Sequence, residues 1–415
     1  MATQSCKTVK EEPRMCGACC NKSFAMYCLS YVVLALVMLI TKFKPLPIII
    51  QMLMYTSSII YIGSYLSLSQ TVIDPKTGEK DRSTESLSRK DAMMFPIIGS
   101  GALFSLYLAY KFLPAYWVNL LLTSYLFIIG AIALMETILQ FVSILIYKCD
   151  DICRDTKYIV IDTHFNFFGY FENPDDPRGH EIKITIHHIW SLSISLVLGI
   201  VWLATDSWII HNMFAISFCI QAISLISIGS FKIGAILLSG LFVYDVFWVF
   251  GTDVMVTVAK SFQGPAKLIF PVSLDPWKQS ILGLGDIVIP GLFISLCLRF
   301  DLKDFTKKHN KSLYLLISGS PEAPTFYTVL IAYMLGLVTT ACVMLYFKAA
   351  QPALLYLVPF CLCSMIYSVV SRNKSTEAWN YSEEEGNSND KKNDSKERLR
   401  EDDPPSLASS TRKNQ

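Results

Sequence analysis

Two aspartates stand alone in apolar stretches of this chain. Asp245 lies in LFVYDVFWVFG and Asp286 in ILGLGDIVIPGLF. An ionised carboxylate in a bilayer costs about 3 kcal/mol or more, so such a group is neutral, paired or hydrated, and its default role is functional. If the two meet, both cannot ionise cheaply and one keeps a proton. The ionised partner can then take a proton from water while the protonated one donates to a carbonyl oxygen. That is general acid–base hydrolysis without a covalent intermediate. No GxSxG elbow or HExxH helix offers another hydrolytic route. Two other classes fit paired intramembrane acids: a transporter or ion pathway using them as proton carriers, and a catalytically silent membrane chaperone.

The elements that hold these residues follow from composition. Of 415 residues, 52% are hydrophobic and 17% charged, with net charge +2. That is too apolar for an ordinary soluble domain and gives no basic field for nucleic acid. A membrane helix needs about 20 apolar residues, and ten candidates occur: 24–41, 46–68, 94–112, 115–147, 187–204, 208–228, 233–257, 280–299, 326–347 and 351–371. The expected fold is an all-α polytopic membrane protein of nine to ten spans, with the active site between two adjacent antiparallel helices. Alternate connections differ more than threefold in Lys and Arg, and the richer set includes the C-terminal tail. The positive-inside rule makes that set cytosolic. Spans 233–257 and 280–299 then run antiparallel. At 1.5 Å per residue, Asp245 and Asp286 both lie about 18–20 Å from the cytosolic face. Gly283 and Gly285 let another backbone come close, and Pro290 removes a helical hydrogen bond. Asp286 is expected one to two turns into its helix.

The remaining chain divides into a polar Cys-rich segment 1–23, an apolar helix or signal sequence 24–45, a scaffold 46–232, a catalytic region 233–371, and a disordered tail 372–415. Cys16, Cys19 and Cys20 lack a second ligand pair for zinc, which leaves acylation or solvated thiols with no role. His164, His180, His187 and His188 read as interfacial, so no metal is expected. In the loop 148–186, TyrIleValIleAsp and residues 163–170 suggest a short strand pair. Sequons at Asn310, Asn373, Asn380 and Asn393 fall on the expected cytosolic side, joined by Asn21 if residues 24–41 span, which predicts little or no glycosylation. Arg412-Lys413 near the end resembles a dibasic signal for return to the endoplasmic reticulum.

A third piece, Gln351-Pro352-Ala353-Leu354, opens the last span. Tyr244-Asp245, Gly283-Leu284-Gly285-Asp286 and Pro352-Ala353-Leu354, in this order, resemble the YD, GxGD and PAL motifs of the presenilin-type intramembrane aspartyl proteases. FPIIGS (95–100) and the 115–147 block add to the likeness, which covers about residues 46–371. The 24–41 block falls outside it. Presenilins carry a long loop between their aspartate helices that is cut during maturation. Residues 258–279 are short, so the chain is more similar to the signal-peptide-cleaving branch, active as an intact chain with no obligatory activating partner. The resemblance implies catalytic Asp245 and Asp286, support from Tyr244, Gly283, Leu284 and Gly285, and substrate binding by Pro352, Ala353 and Leu354. It implies no cofactor, a cytosolic C-terminus and an endoplasmic reticulum location. Its implied substrates are signal peptides left in the bilayer after signal peptidase and some type II membrane proteins. A second copy of the chain and the degradation machinery of the endoplasmic reticulum are candidate partners. A helical substrate hides its peptide bonds behind its own hydrogen bonds, so it must be unwound and its lost pairs replaced, as by strand addition. Lys267–Ser273 and the Pro352-Ala353-Leu354 backbone are expected to supply that edge.

Overall fold

The computed structural model describes residues 22–69, 85–146, 158–161, 182–252, 254–262, 264–274, 277–309, 323–347 and 351–383. Cys16, Cys19, Cys20, His164, His180, Asp253, residues 163–170, Arg412-Lys413 and the sequons at Asn21, Asn310 and Asn393 lie outside them. Among the described residues, nine helices are long and apolar enough to cross a membrane. They are α1 (Lys22–Phe43), α2 (Ile48–Ser69), α3 (Arg89–Phe112), α4 (Ala115–Ile146), α5 (Ile186–Thr205), α6 (Trp208–Leu225), α7 (Phe231–Phe250), α10 (Pro324–Phe347) and α11 (Leu354–Ser371). Helices suit this composition because each backbone group pairs within its own segment, away from water. α3 starts earlier than expected: Ser88 and Asp91 form a reciprocal capping box ahead of the apolar run.

The helix carrying Asp286, α9 (Gly285–His309), is not among the nine, because Arg299, Asp301, Lys303 and Asp304 follow its apolar half. It is instead the centre of the bundle. From Pro290 to Leu302 every residue is buried, and α2, α6, α7, α10 and α11 all pack on it. A helix sheathed by protein need not be apolar throughout. Small residues set its closest contacts. A Cβ on Gly291 would sit 2.6 Å from Ile223 Cδ1 of α6, and one on Gly63 of α2 would sit 2.8 Å from Ile223 Cβ. Ile223 therefore wedges α6 between α2 and α9. Gly234 of α7 leaves the matching space for Phe293 of α9, where a Cβ would be 2.8 Å from the ring.

Three expected boundaries shift. Residues 280–299 do not form one helix: a strand precedes it and the helix begins at Gly285. The 233–257 span ends at Phe250, where Gly251 caps α7, and a separate short helix α8 (Val254–Ser261) follows. The 208–228 block ends as β4 (Ile226–Ile228), paired in parallel with β1 (Glu85–Leu87). In the 148–186 loop, β2 (Tyr158–Ile161) is a strand as expected, but its antiparallel partner is β3 (Ile182–Thr185). A third pair, β5 (Lys267–Leu274) with β6 (Trp277–Gly283), is antiparallel and leads directly into α9.

The polar end of α9 is tied to its neighbours. Asp301 of α9 accepts from the Thr325 N–H at 2.7 Å, the Thr325 hydroxyl at 2.6 Å and the Phe326 N–H at 3.0 Å, capping α10. After α11, a short helix α12 (Ser375–Trp379) turns the chain back over the bundle. Tyr381 packs edge-on to Phe300, and Glu383 accepts from Arg299 Nε at 2.7 Å.

Candidate active site

Asp245 lies in the last third of α7, is 4% exposed and faces the start of α11. Its Oδ2 accepts the backbone N–H of Leu354 at 3.0 Å. Sequence places these residues far apart; the fold joins the YD and PAL segments directly. Pro352, Ala353 and Leu354 are all buried. Pro352 and Ala353 have no helical predecessor, and their carbonyls accept the first bonds of α11, Leu355 N–H at 3.3 Å and Leu357 N–H at 3.2 Å. Proline suits a helix start because it has no N–H to leave unpaired there. Gly336 of α10 lets α11 approach closely, since a Cβ there would be 3.4 Å from Leu357 Cα.

Asp286 is the second residue of α9, not one to two turns inside it. The reason is local. Leu284 is the junction between strand and helix: its N–H closes the hairpin onto Ala266 O at 3.3 Å, and its carbonyl accepts from Ile287 at 3.1 Å and Val288 at 2.9 Å. Asp286 thus sits at the positive end of the α9 dipole. It is partly exposed, whereas Asp245 is buried. Tyr333 of α10, wholly buried, donates its hydroxyl to the Asp286 backbone carbonyl at 3.2 Å. α7 and α9 pack together, and the two carboxylates are close enough to interact electrostatically. A Cβ on Gly283 would lie 3.3 Å from Asp286 Oδ2, so this glycine leaves room for the carboxylate. Gly285 and Leu284 line the same junction. No group of acidic, Cys or His residues among the described residues could hold a metal ion.

Tyr244 packs beside α3. A Cβ on Gly99 would be 3.8 Å from its ring, Trp248 Nε1 donates to Ser100 Oγ at 3.1 Å, and Gly240 opposes Pro96. FPIIGS therefore packs along the Tyr244 face of α7, turn against turn.

The expected edge at Lys267–Ser273 is occupied. Lys267 O lies 3.0 Å from His211 Nε2, and Ile269 O accepts from Asn212 Nδ2 at 2.8 Å. Ile269 N–H donates to Asn212 Oδ1 at 2.9 Å, and Pro271 O accepts from Gln51 Nε2 at 2.8 Å. These are alternate residues, so they are the outward-facing groups of β5. The ammonium of Lys267, pushed below its ordinary value by burial, donates to Phe262 O at 2.9 Å. In the register Lys267↔Gly283, Ile269↔Ile281 and Pro271↔Gln279, the β6 residues opposite also face outward. Gln279, Ile281 and Gly283 therefore line an edge with no third strand among the described residues. Sequence reasoning missed Gln51, His211 and Asn212. The cost of polar groups in apolar helices, which drew attention to the aspartates, applies to them as well.

A multi-pass helical bundle with two carboxylates between packed helices, one of them held by the N–H at the start of α11, is an arrangement suited to an intramembrane aspartic protease. The comparisons agree. The signal peptide peptidase family profile matches residues 79–385, and the chain belongs to that family. It is 38% identical over 304 residues to the human signal peptide peptidase, covering 72% of this chain and 74% of that one. It is 47% identical over 184 residues to intramembrane protease 2 of Caenorhabditis elegans, covering 42% and 38%. A probable intramembrane protease of Schizosaccharomyces pombe is 31% identical over 317 residues, covering 76% and 88%. The protein is a protease of the multi-pass intramembrane type, and its relatives support an endoplasmic reticulum membrane location. Nothing favours the transporter alternative.

Proposed function

We propose that Asp245 and Asp286 are the catalytic pair and that the chain hydrolyses signal peptides and type II transmembrane segments within the bilayer. The observation that carries this reading is the Leu354 N–H held on Asp245 Oδ2 at a buried site within electrostatic reach of Asp286. One carboxylate takes a proton from water as the water attacks the scissile carbon. The other donates its proton to the carbonyl oxygen. On collapse of the tetrahedral diol, a proton passes to the leaving amine. Leu354 orients Asp245 by occupying one of its oxygens. Residues 233–371 form the catalytic region on the scaffold 46–232.

The substrate backbone pairs along the open edge of β6, which ends three residues before Asp286. This replaces the β5 edge expected from sequence. Pro352 and Ala353 form the opposite wall. The C-terminus is cytosolic, supported by the Lys and Arg distribution, and a glycan on Asn373 or Asn380 would contradict it. The test of the reaction uses purified protein, a synthetic signal peptide and the variants Asp286→Ala and Asp245→Ala. Fragments are expected from the wild type alone, with rates in either variant lowered by roughly 10³-fold or more. Fragments from both variants at wild-type rates would overturn the assignment.

A further inference from the structure

Asn212 makes a contact of unusual form for a residue in an apolar helix. Its carboxamide is wholly buried, and it both donates to and accepts from one residue, Ile269. A neighbouring strand would make that same pair of bonds. His211 beside it and Gln51 on α2 take the outward carbonyls two residues to either side, at Lys267 and Pro271. The outward carbonyls of β5 from Lys267 to Pro271 are thus held by helix side chains, and its central outward N–H by Asn212. A hairpin without such capping would present two edges, and extended chain can add to either.

We infer that Asn212 is a positioning residue for this hydrolysis: its carboxamide stands in for a strand on β5 and leaves β6 as the edge that takes the substrate backbone. The inference rests on the strand-addition reading given above. Asn212 touches neither aspartate. It acts by fixing which edge is open and how the hairpin sits on α6, and so which peptide bond arrives at Asp286. A shift of strand register by one residue would carry a different bond to the carboxylates. The contact is therefore a determinant of where the substrate is cut.

The experiment compares wild type with Asn212→Leu, which keeps the volume and removes both bonds. The substrate is one synthetic signal peptide, made unmodified and as a series singly N-methylated at successive residues around the cut. Products are located by mass spectrometry. For the wild type, N-methylation is expected to slow cleavage at alternate residues, the signature of strand pairing. For Asn212→Leu, cuts are expected to spread to bonds one or two residues away, with kcat/KM at the original bond lowered roughly tenfold. A uniform fall in rate with the cut site unmoved would overturn the role of Asn212 while leaving strand addition intact. Absence of alternation in the wild type would overturn strand addition, and the inference with it. If Asn212→Leu does not fold, Asn212→Ser, smaller and unable to make the double contact, is read in the same way.

Discussion

Gly283 and Gly285 flank the same leucine but meet different surroundings. A methyl group at 283 would lie 3.3 Å from Asp286 Oδ2, so the carboxylate would have to move by a few tenths of an ångström. A methyl group at 285 meets only Ile289 Cδ1, at 3.9 Å. Neither has a backbone conformation that requires glycine. Gly283→Ala is therefore expected to lower kcat roughly tenfold with little change in KM, because small displacements of a reacting group are costly. Gly285→Ala should stay within about threefold of wild type. Steady-state kinetics on a fluorogenic transmembrane peptide separates the two, and equal losses would show that sterics at Asp286 are not the cause. The residues of this site differ in how visible they were in sequence. Asp245, Asp286 and Pro352-Ala353-Leu354 stand out because a carboxylate or a proline interrupts an apolar run. Asn212 and Gln51 do not, since their partners, Ile269 and Pro271, are 57 and 220 residues away. Only the fold brings them together.

Among the elements, the hairpin is the piece that apolar periodicity concealed. Residues 280–283, the end of β6, read in sequence as the beginning of a helix because Ile281 and Leu282 run on toward α9 without a charged residue. Leu284 resolves the ambiguity structurally by ending one hydrogen-bond pattern and starting the other. Most of the long helices are legible to within a turn because a bilayer demands a minimum apolar length, and the exceptions are the start of α3, the end of α7 and both ends of α9. The alternation within β6 also makes a sharp prediction. The Ile281 N–H faces the open edge, whereas Ser280 faces β5, so a proline at 281 removes a donor from the edge and none from the hairpin. Ile281→Pro should reduce kcat/KM by roughly tenfold or more with thermal stability near wild type, the loss of one to two backbone bonds to substrate. Ser280→Pro should instead lower thermal stability, because it removes a bond between β5 and β6. Thermal unfolding in detergent, measured beside peptide cleavage, tells these apart. Full activity in Ile281→Pro would mean that substrate does not pair with this edge.

At the scale of the molecule, the charges that set orientation in sequence also lock the bundle. α9 is central, and its polar end would leave Arg299 stranded among helices without specific partners. Arg299 is 6% exposed and donates Nη1 to Ser295 at 2.8 Å and to Ser67 of α2 at 3.2 Å, while Nε reaches Glu383. Glu383 N–H in turn donates to Gly229 O at 3.0 Å, just before α7. The returning segment therefore ties α2, α7 and α9 at one end; α7 and α9 carry the two aspartates, and α2 carries Gln51, one of the side chains on β5. Sequence assigned this segment to a disordered tail because its composition is polar. Burial of Tyr381 against Phe231 and Phe300 supplies what composition could not show. Removing either partner of the ion pair should have unequal effects. Glu383→Ala leaves a buried guanidinium without its counter-charge and is expected to cost about 3 kcal/mol of stability. Arg299→Met leaves Ser67 and Ser295 still bonded to each other at 2.8 Å and Glu383 able to reach water, so it should cost about half as much. Chemical unfolding in detergent measures both. Because the aspartates lie at the other end of this tie, peptide cleavage by the surviving folded fraction should keep the wild-type KM. A larger loss in Arg299→Met than in Glu383→Ala would mean that the arginine acts chiefly through the serines, not through the returning segment.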